Sequence, residues 1–288
     1  MSKKRDGKKH GSGGRRRLSL KELPRRLRVA EGAHVDLDDA TADGNFGWDK
    51  DQAQVAIAEQ LRKLEALQYK LYADGRFGLL LVLQALDAGG KDGTVRHVCS
   101  AFNPQGCTVT PFKQPTPLEL KHDFLWRVHP HVPGGGEIAI FNRSHYEDVL
   151  VTKVDKLFPP KVINQRYALI NDFERLLVES NVSVVKVYLH ISRDEEKRRV
   201  RERLKDPDKQ WKYQPGDLKK RSQWPEYRAA FEEAIHRCST RHAPWYVVPA
   251  NHKWARNLAV AQILVETLEA LPLRFPPLTY DPKKVKVD

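Results

Sequence analysis

Residues 77–98 read FGLLLVLQALDAGGKDGTVRHV, and this stretch decides the fold. Leu79, Leu80, Leu81, Val82 and Leu83 form a continuous apolar run, the mark of a strand buried on both faces. The run leads straight into Asp87-Ala88-Gly89-Gly90-Lys91-Asp92-Gly93-Thr94, a glycine-containing turn, and then into a helix-compatible segment. Strand, glycine loop with lysine, then helix is the build of a phosphate-binding loop. Successive backbone N–H groups and the positive helix N-terminus point at one anion, and the lysine adds a full charge. The match to G-x-x-x-x-G-K-[ST] is imperfect. Ala85 stands where the first glycine belongs, and Asp92 replaces the Ser/Thr that usually holds magnesium. The pattern alone leaves two readings open: a phosphate loop, or a plain strand–turn–helix connection.

Outward from this stretch, the pattern alternates. Upstream, Asp49 can N-cap a long helix to about Tyr72, with Val55, Ala58, Leu61, Leu64, Leu67 and Leu71 on one apolar face. Residues 18–47 are broken by Pro24, Gly32, Gly44 and Gly47 and read as an irregular wrap. Downstream, the pattern predicts a short strand at 108–112 and a helix opening at Pro115-Thr116-Pro117 and running to Val128. It also predicts strands at 137–141, 182–191 and 244–248. Helical segments at 149–158, 162–179 and 254–271 lie between and after them. Near-continuous apolar strands alternating with helices indicate an α/β fold, a parallel sheet with helices on both faces. Ligands of such sheets sit at the carboxyl ends of the strands. Asp87–Lys91 and Asn142–Glu147 both lie just past strand ends, so they should face one crevice.

At 288 residues, 40% hydrophobic and 30% charged, the chain has an ordinary globular composition. Its longest strongly apolar run is about five residues, far below the roughly 20 a membrane span needs, and the basic N-terminus lacks the apolar core of a secretory signal. The three cysteines, Cys99, Cys107 and Cys238, lack C-x-x-C spacing. They argue for a reducing, cytoplasmic setting and against a zinc site or disulfide framework. Of the net charge of +13, residues 1–28 carry +10, from twelve Lys/Arg against two acids. That segment reads as a basic disordered tail, either merely solvated or an arm for a polyanion such as nucleic acid, polyphosphate or an acidic membrane. Residues 276–288, with four prolines at 272, 276, 277 and 282 in or near them, read as a C-terminal tail.

Each candidate residue has a bland reading beside a chemical one. Lys91 is a phosphate-gripping lysine or a turn-capping surface lysine. Asp87, where bound phosphate would repel it, holds magnesium or accepts a proton, or else hydrogen-bonds its own turn. Asp92 either joins the site or complements the helix dipole. Arg143 clamps a transferred phosphoryl group or pairs at the sheet rim. Asn142 stands where a carboxylate is usual for metal binding, and Glu147 either restores that carboxylate or sits on a helix surface. Residues 193–228 hold 13 Lys/Arg against 8 Asp/Glu, interleaved with Trp211, Tyr213, Trp224 and Tyr227. They form a lid over phosphates, with Arg199 and Arg203 four apart on one helix face, or a solvated face. The aromatics there read as packing anchors.

Taken together, ALDAGGKDGT, FNRSHYEDVLV, KDPDKQWKYQPGDLKKR and APWYVVPANHKWARN resemble the second family of polyphosphate kinases, phosphate-loop enzymes related in fold to thymidylate kinases. The resemblance covers roughly residues 45 to 272, in order, and is closest to the class III subgroup, which has Asn in the second motif and phosphorylates nucleoside mono- and diphosphates. It implies a P-loop kinase domain over 29–275 with a helical lid at about 193–228, Mg2+, and reversible phosphoryl transfer between inorganic polyphosphate and AMP, ADP or ATP, with guanine nucleotides as further acceptors. By this resemblance Asp87, Lys91 and Arg143 are catalytic, with Asp87 also at the metal. Ala88, Gly89, Gly90, Asp92, Gly93, Thr94, Asn142, Glu147, Arg199 and Arg203 bind substrate. A homo-oligomer, dimer or tetramer, is implied as well. Gly89 stands where the family usually has alanine and should be tolerated, since glycine only loosens a turn. Two other readings stay open: an ATP-dependent nucleotide kinase on the same fold, and a nucleic-acid-binding protein using the basic tail and lid.

Overall fold

The computed structural model describes residues 16–213, 216, 221–285 and 287. Five parallel strands form one sheet in the order β2-β3-β1-β4-β5, with β1 at Gly78–Gln84, β2 at Cys107–Pro111, β3 at Ile138–Asn142, β4 at Val182–His190 and β5 at Trp245–Pro249. Every residue of β1 is buried. Its alternation explains why: Leu79, Leu81 and Leu83 enter one hydrophobic layer, and Leu80 and Val82 the other. A strand that feeds two cores has no polar face, which is why it reads as an unbroken apolar run.

Helices cover both faces. On the Leu79 side lie α1 (Glu22–Leu27), α2 (Lys50–Asp74), α3 (Lys91–Val98) and α8 (Lys253–Glu269). On the Leu80 side lie α4 (Glu147–Val154), α5 (Pro160–Glu179) and α7 (Trp224–Cys238), while α6 (Arg193–Lys205) follows β4 at the carboxyl end of the sheet. Asp49 caps α2 as expected, its carboxylate accepting from Gln52 N at 2.9 Å. This is the α/β fold with helices on both faces that the sequence pattern predicts.

Four expectations are corrected. Residues 16–28, counted in the basic tail, are ordered: α1 buries Leu23, Pro24 and Leu27, and the Trp48 indole donates to Leu18 O. Residues 1–15 lie outside the described residues. The helix expected over 115–128 is instead a chain of turns, including a 3-10 turn at Glu119–Lys121. Leu118 and Leu120 are exposed, so there is no apolar face for a helix to bury. The buried face of α2 is Ala53, Ala56, Gln60, Leu64, Gln68 and Leu71, while Val55 is 65% exposed. Gln68 explains part of the rotation, since its side-chain oxygen accepts from Asn103 N. Finally, the end of the expected lid belongs to the core: Trp224 and Tyr227 are buried in α7, whereas Trp211 is 75% exposed, its indole donating to Asp208 O at 2.9 Å. Residues 214, 215 and 217–220 of that segment lie outside the described residues.

Candidate active site

Leu83 at the end of β1 pairs with Asn142 at the end of β3, so the chain segments that leave these neighbouring strands emerge side by side. Their backbones are strained there. Ala88 has φ 56°, Gly90 φ 102° and Arg143 φ 65°, conformations that non-glycine residues adopt only when their surroundings enforce them. The first turn of α3 begins at Lys91 and leaves its leading N–H groups free to meet an anion.

Lys91 lies across the loop, its ammonium donating to Ala85 O at 2.9 Å. Burial, reinforced by Arg143, pulls its pKa down to about 8 against the opposing pull of Asp87, Glu147 and Asp92. Arg143 stands between two carboxylates, 3.4 Å from Asp87 Oδ1 and 3.7 Å from Glu147 Oε2. Asn142 donates to Asp92 Oδ1 at 2.9 Å, and Lys212 approaches Asp92 Oδ2 at 3.3 Å. Burial alone would raise the Asp92 pKa, but these two donors lower it. The structure therefore brings Asp87, Lys91, Asp92, Asn142, Arg143 and Glu147 together, as the sequence reading requires.

Three predicted substrate contacts differ in kind. Thr94 is fully buried and its hydroxyl donates back to Gly90 O at 3.2 Å, so its side chain closes the helix turn and does not line the cleft. Gly89 does more than loosen the turn, because a Cβ there would lie 2.5 Å from the Ala85 Cβ. An alanine at 89 requires the loop to shift. Arg199 is a buried strut: it donates to Ala88 O at 3.0 Å and to Asn251 O at 3.1 Å, and also holds Ala250 O and Glu195. Arg203, one turn later, lines open space.

Two cavities meet at these residues. The larger, about 860 Å³, runs over the glycine loop between the ends of β2 and β3, α6 and Lys253. Eight Lys/Arg and four Asp/Glu line it. The second is a narrow slot of about 50 Å³ behind Ala85 and Leu86, walled by Leu150, Val151, Trp224, Tyr227 and Phe231, with Glu196 and Arg221 paired at its edge. Asp87 and Arg143 line both cavities. Among the described residues, the buried Tyr227 hydroxyl has no hydrogen-bond partner.

The sequence model of the family described as Polyphosphate kinase 2 matches residues 47–275 of the chain. The chain belongs to the polyphosphate kinase 2 family. It is 51% identical over 241 residues to the AMP/ADP-polyphosphate phosphotransferase of Meiothermus ruber, covering 84% of this chain and 89% of the relative. It is 40% identical over 273 residues to the ADP-polyphosphate phosphotransferase of Rhodopseudomonas palustris, covering 90% and 94%. The crystal structure of Polyphosphate Kinase 2 from Arthrobacter aurescens superposes with a TM-score of 0.85 at 43% identity, over 90% of this chain and 93% of that one. The sheet and glycine loop are accordingly those of a P-loop kinase.

Three residues at or behind the cleft were not singled out by the sequence. Arg256 is 2% exposed, and a Cβ on Gly90 would lie 2.0 Å from its Nη1. Burial, then the neighbouring Arg199 charge, brings its pKa down to about 10. Its guanidinium is oriented by Asn257 Oδ1, at 3.1 and 2.8 Å. The available signal was an arginine inside a helix whose residues 255–265 are all buried: a charge placed there has a partner or a purpose. Lys113 and Lys253, also on the cleft wall, carried no signal beyond being lysines past strand ends.

Proposed function

We propose that this protein transfers a phosphoryl group between inorganic polyphosphate and nucleotides, converting AMP to ADP and ADP to ATP reversibly, with guanine nucleotides as further acceptors. The observation that carries the reading is the meeting of two unlike cavities at Asp87 and Arg143. The basic cleft suits a polyanion, since polyphosphate bears about one charge per phosphate and needs neutralising along its length. The narrower slot, apolar with aromatic walls, suits a nucleobase after widening. Family membership and the activities named for the Meiothermus and Rhodopseudomonas relatives support the same assignment.

In this reading the acceptor's phosphate oxygen attacks a terminal phosphorus of the chain held over the glycine loop. A new P–O bond forms, the phosphoanhydride bond breaks, and the shortened chain departs with the electron pair. The transfer is loose and in line, so position and charge dominate. Lys91 and the first turn of α3 hold the donor phosphate, and Arg143 reaches the group in flight. Asp87 orients the acceptor phosphate. Residues 206–213, beyond the pinned α6, act as a lid over the phosphates, with Lys212 latching to Asp92.

Magnesium fits this donor set. Mg2+ takes one or two carboxylates and completes its shell with water and substrate phosphates. Asp87 and Glu147 flank one arginine at the meeting of the cavities, and among the described residues there is no all-protein cluster of three or more metal-ligating side chains. Asp87, with Glu147 near it, would hold the ion, which when bound offsets phosphate charge. The protein is proposed to work in the cytoplasm. No described helix is long and apolar enough to cross a membrane, and all three cysteines are free thiols. Assembly into a homodimer or tetramer is proposed through exposed apolar side chains such as Leu169 and Leu176 on α5.

The two-cavity assignment is tested by separating the Michaelis constants. Tyr227→Phe should raise KM for the nucleotide and leave KM for polyphosphate unchanged, and Lys209→Ala should do the reverse. Matched changes in both constants for both variants would refute it.

A further inference from the structure

Arg143 occupies a left-handed backbone conformation, and the three residues after it, Ser144, His145 and Tyr146, are fully buried. Such a turn stays in place only if its surroundings hold it there. What holds it is a set of charged and polar groups inside an otherwise apolar layer. Glu174 of α5 and Lys186 of β4 are both fully buried and form an ion pair. Glu174 Oε1 accepts from the Tyr146 hydroxyl at 2.8 Å and lies 3.2 Å from His145 Nε2. Lys186 donates to the Tyr146 hydroxyl at 3.0 Å and to Cys238 O at 2.6 Å. Ser144 Oγ accepts from Tyr146 N at 3.1 Å and from the Gln84 amide at 3.2 Å.

The placement matters more than the pair itself. A buried ion pair is a poor source of stability, because desolvation offsets its attraction and well-packed apolar residues do as well. This one is directional. It binds α5, the centre of β4 and the end of α7 to two consecutive residues of the turn that presents Arg143 on one side and Glu147 on the other. The hydrogen bonds fix the rotation of that turn, which shape-filling by leucines would leave loose.

We propose that Glu174 and Lys186 are positioning residues for phosphoryl transfer. Through His145 and Tyr146 they set the backbone of residues 143–147, and so the direction of the Arg143 guanidinium toward Asp87. Neither touches substrate. The proposal rests on the reading that Arg143 serves the transfer. A shift of about 1 Å in such a group costs on the order of a hundredfold in rate, so loosening the anchor should appear in kcat and not in donor binding.

The test is a double-mutant cycle on the full chain, with polyphosphate and AMP as substrates. It includes Glu174→Gln, Tyr146→Phe, Arg143→Ala and the combinations with Arg143→Ala, assayed at temperatures where thermal melts show each variant folded. Tyr146→Phe removes one hydroxyl and keeps the packing, so it decides the matter if Glu174→Gln fails to fold. The expected result is a kcat at least tenfold lower for Glu174→Gln and several-fold lower for Tyr146→Phe, with KM for polyphosphate within twofold of the parent. In the Arg143→Ala background the same substitutions should change kcat by less than twofold. Full kcat in the folded single variants, or an equal loss with and without Arg143, would overturn the proposal. Full kcat for Arg143→Ala alone would instead overturn the reading on which it rests.

Discussion

Arg199 and Arg203 lie four residues apart on α6, and the structure surrounds them differently. Arg199 is buried and donates to the carbonyls of Ala88, Ala250 and Asn251. Arg199→Ala strands three acceptors, at about 1–3 kcal/mol each if they stay dry. Water entering the vacated space offsets part of that, leaving a net loss of about 3–5 kcal/mol, the range for breaking a buried charged contact. Glu195 keeps a partner, since Arg198 donates to both of its oxygens at 2.7 and 2.6 Å, so it adds little. At about 2–4 °C per kcal/mol for a chain of this size, the melting temperature should fall by about 6–20 °C. Arg203→Ala removes only a cation from the cleft wall. It should leave the melting temperature within about 1 °C and raise KM for polyphosphate about fivefold, the worth of roughly 1 kcal/mol for one partly screened charge. Scanning calorimetry and initial-rate kinetics on both variants decide the matter. A stable Arg199→Ala protein with only a KM defect would refute the division.

Other consequences follow from the same geometry. Lys91 loses its proton near pH 8 in the free enzyme because burial disfavours its charged form. In the proposed reaction the charged form grips phosphate, so kcat/KM for polyphosphate should be level below pH 8 and fall about tenfold per unit well above it. Lys91→Arg should abolish that limb, and a limb that survives it belongs to another group. Gly90→Ala places a Cβ 2.0 Å from the Arg256 guanidinium at φ 102°. The backbone strain of about 1–3 kcal/mol and the displaced arginine should lower both stability and kcat, which melting and rate measurements will show. Removing residues 1–15 deletes six Lys/Arg against one Asp. It should raise KM for long-chain polyphosphate more than for tripolyphosphate, most visibly at low salt, with kcat unchanged.

The central part of the fold was legible because its signals are local. A strand that feeds two cores must be apolar throughout, although the glycine loop after it, read alone, fits a phosphate loop and a plain connection alike. Asp87, Lys91 and Arg143 follow from that logic, since they lie just past strand ends. What misled was one-dimensional periodicity without knowledge of partners. The leucines at 118, 120 and 125 suggested a helix, but Leu118 and Leu120 face solvent. The α2 face differs because Gln60 and Gln68 look polar in sequence yet are buried, and Gln68 meets Asn103 N only across the fold. Arg199 and Arg203 share a helix face in sequence; only the carbonyls of Ala88 and residues 250–251, brought in from elsewhere in the chain, distinguish the pinned Arg199 from Arg203 on the open cleft wall. Arg256 was hidden for the same reason, since the loop it backs is more than 160 residues away in sequence.

In the proposed reaction the donor is polyphosphate, and the acceptor meets it at Asp87 and Arg143. The most direct measurement is phosphorus NMR of the purified chain with Mg2+, long-chain polyphosphate and AMP, with no ATP present. ADP should accumulate first and ATP after it, as the polyphosphate end-group signal grows relative to the chain signal. No ADP from polyphosphate, with AMP phosphorylated instead when ATP is supplied as donor, would contradict the proposed reaction.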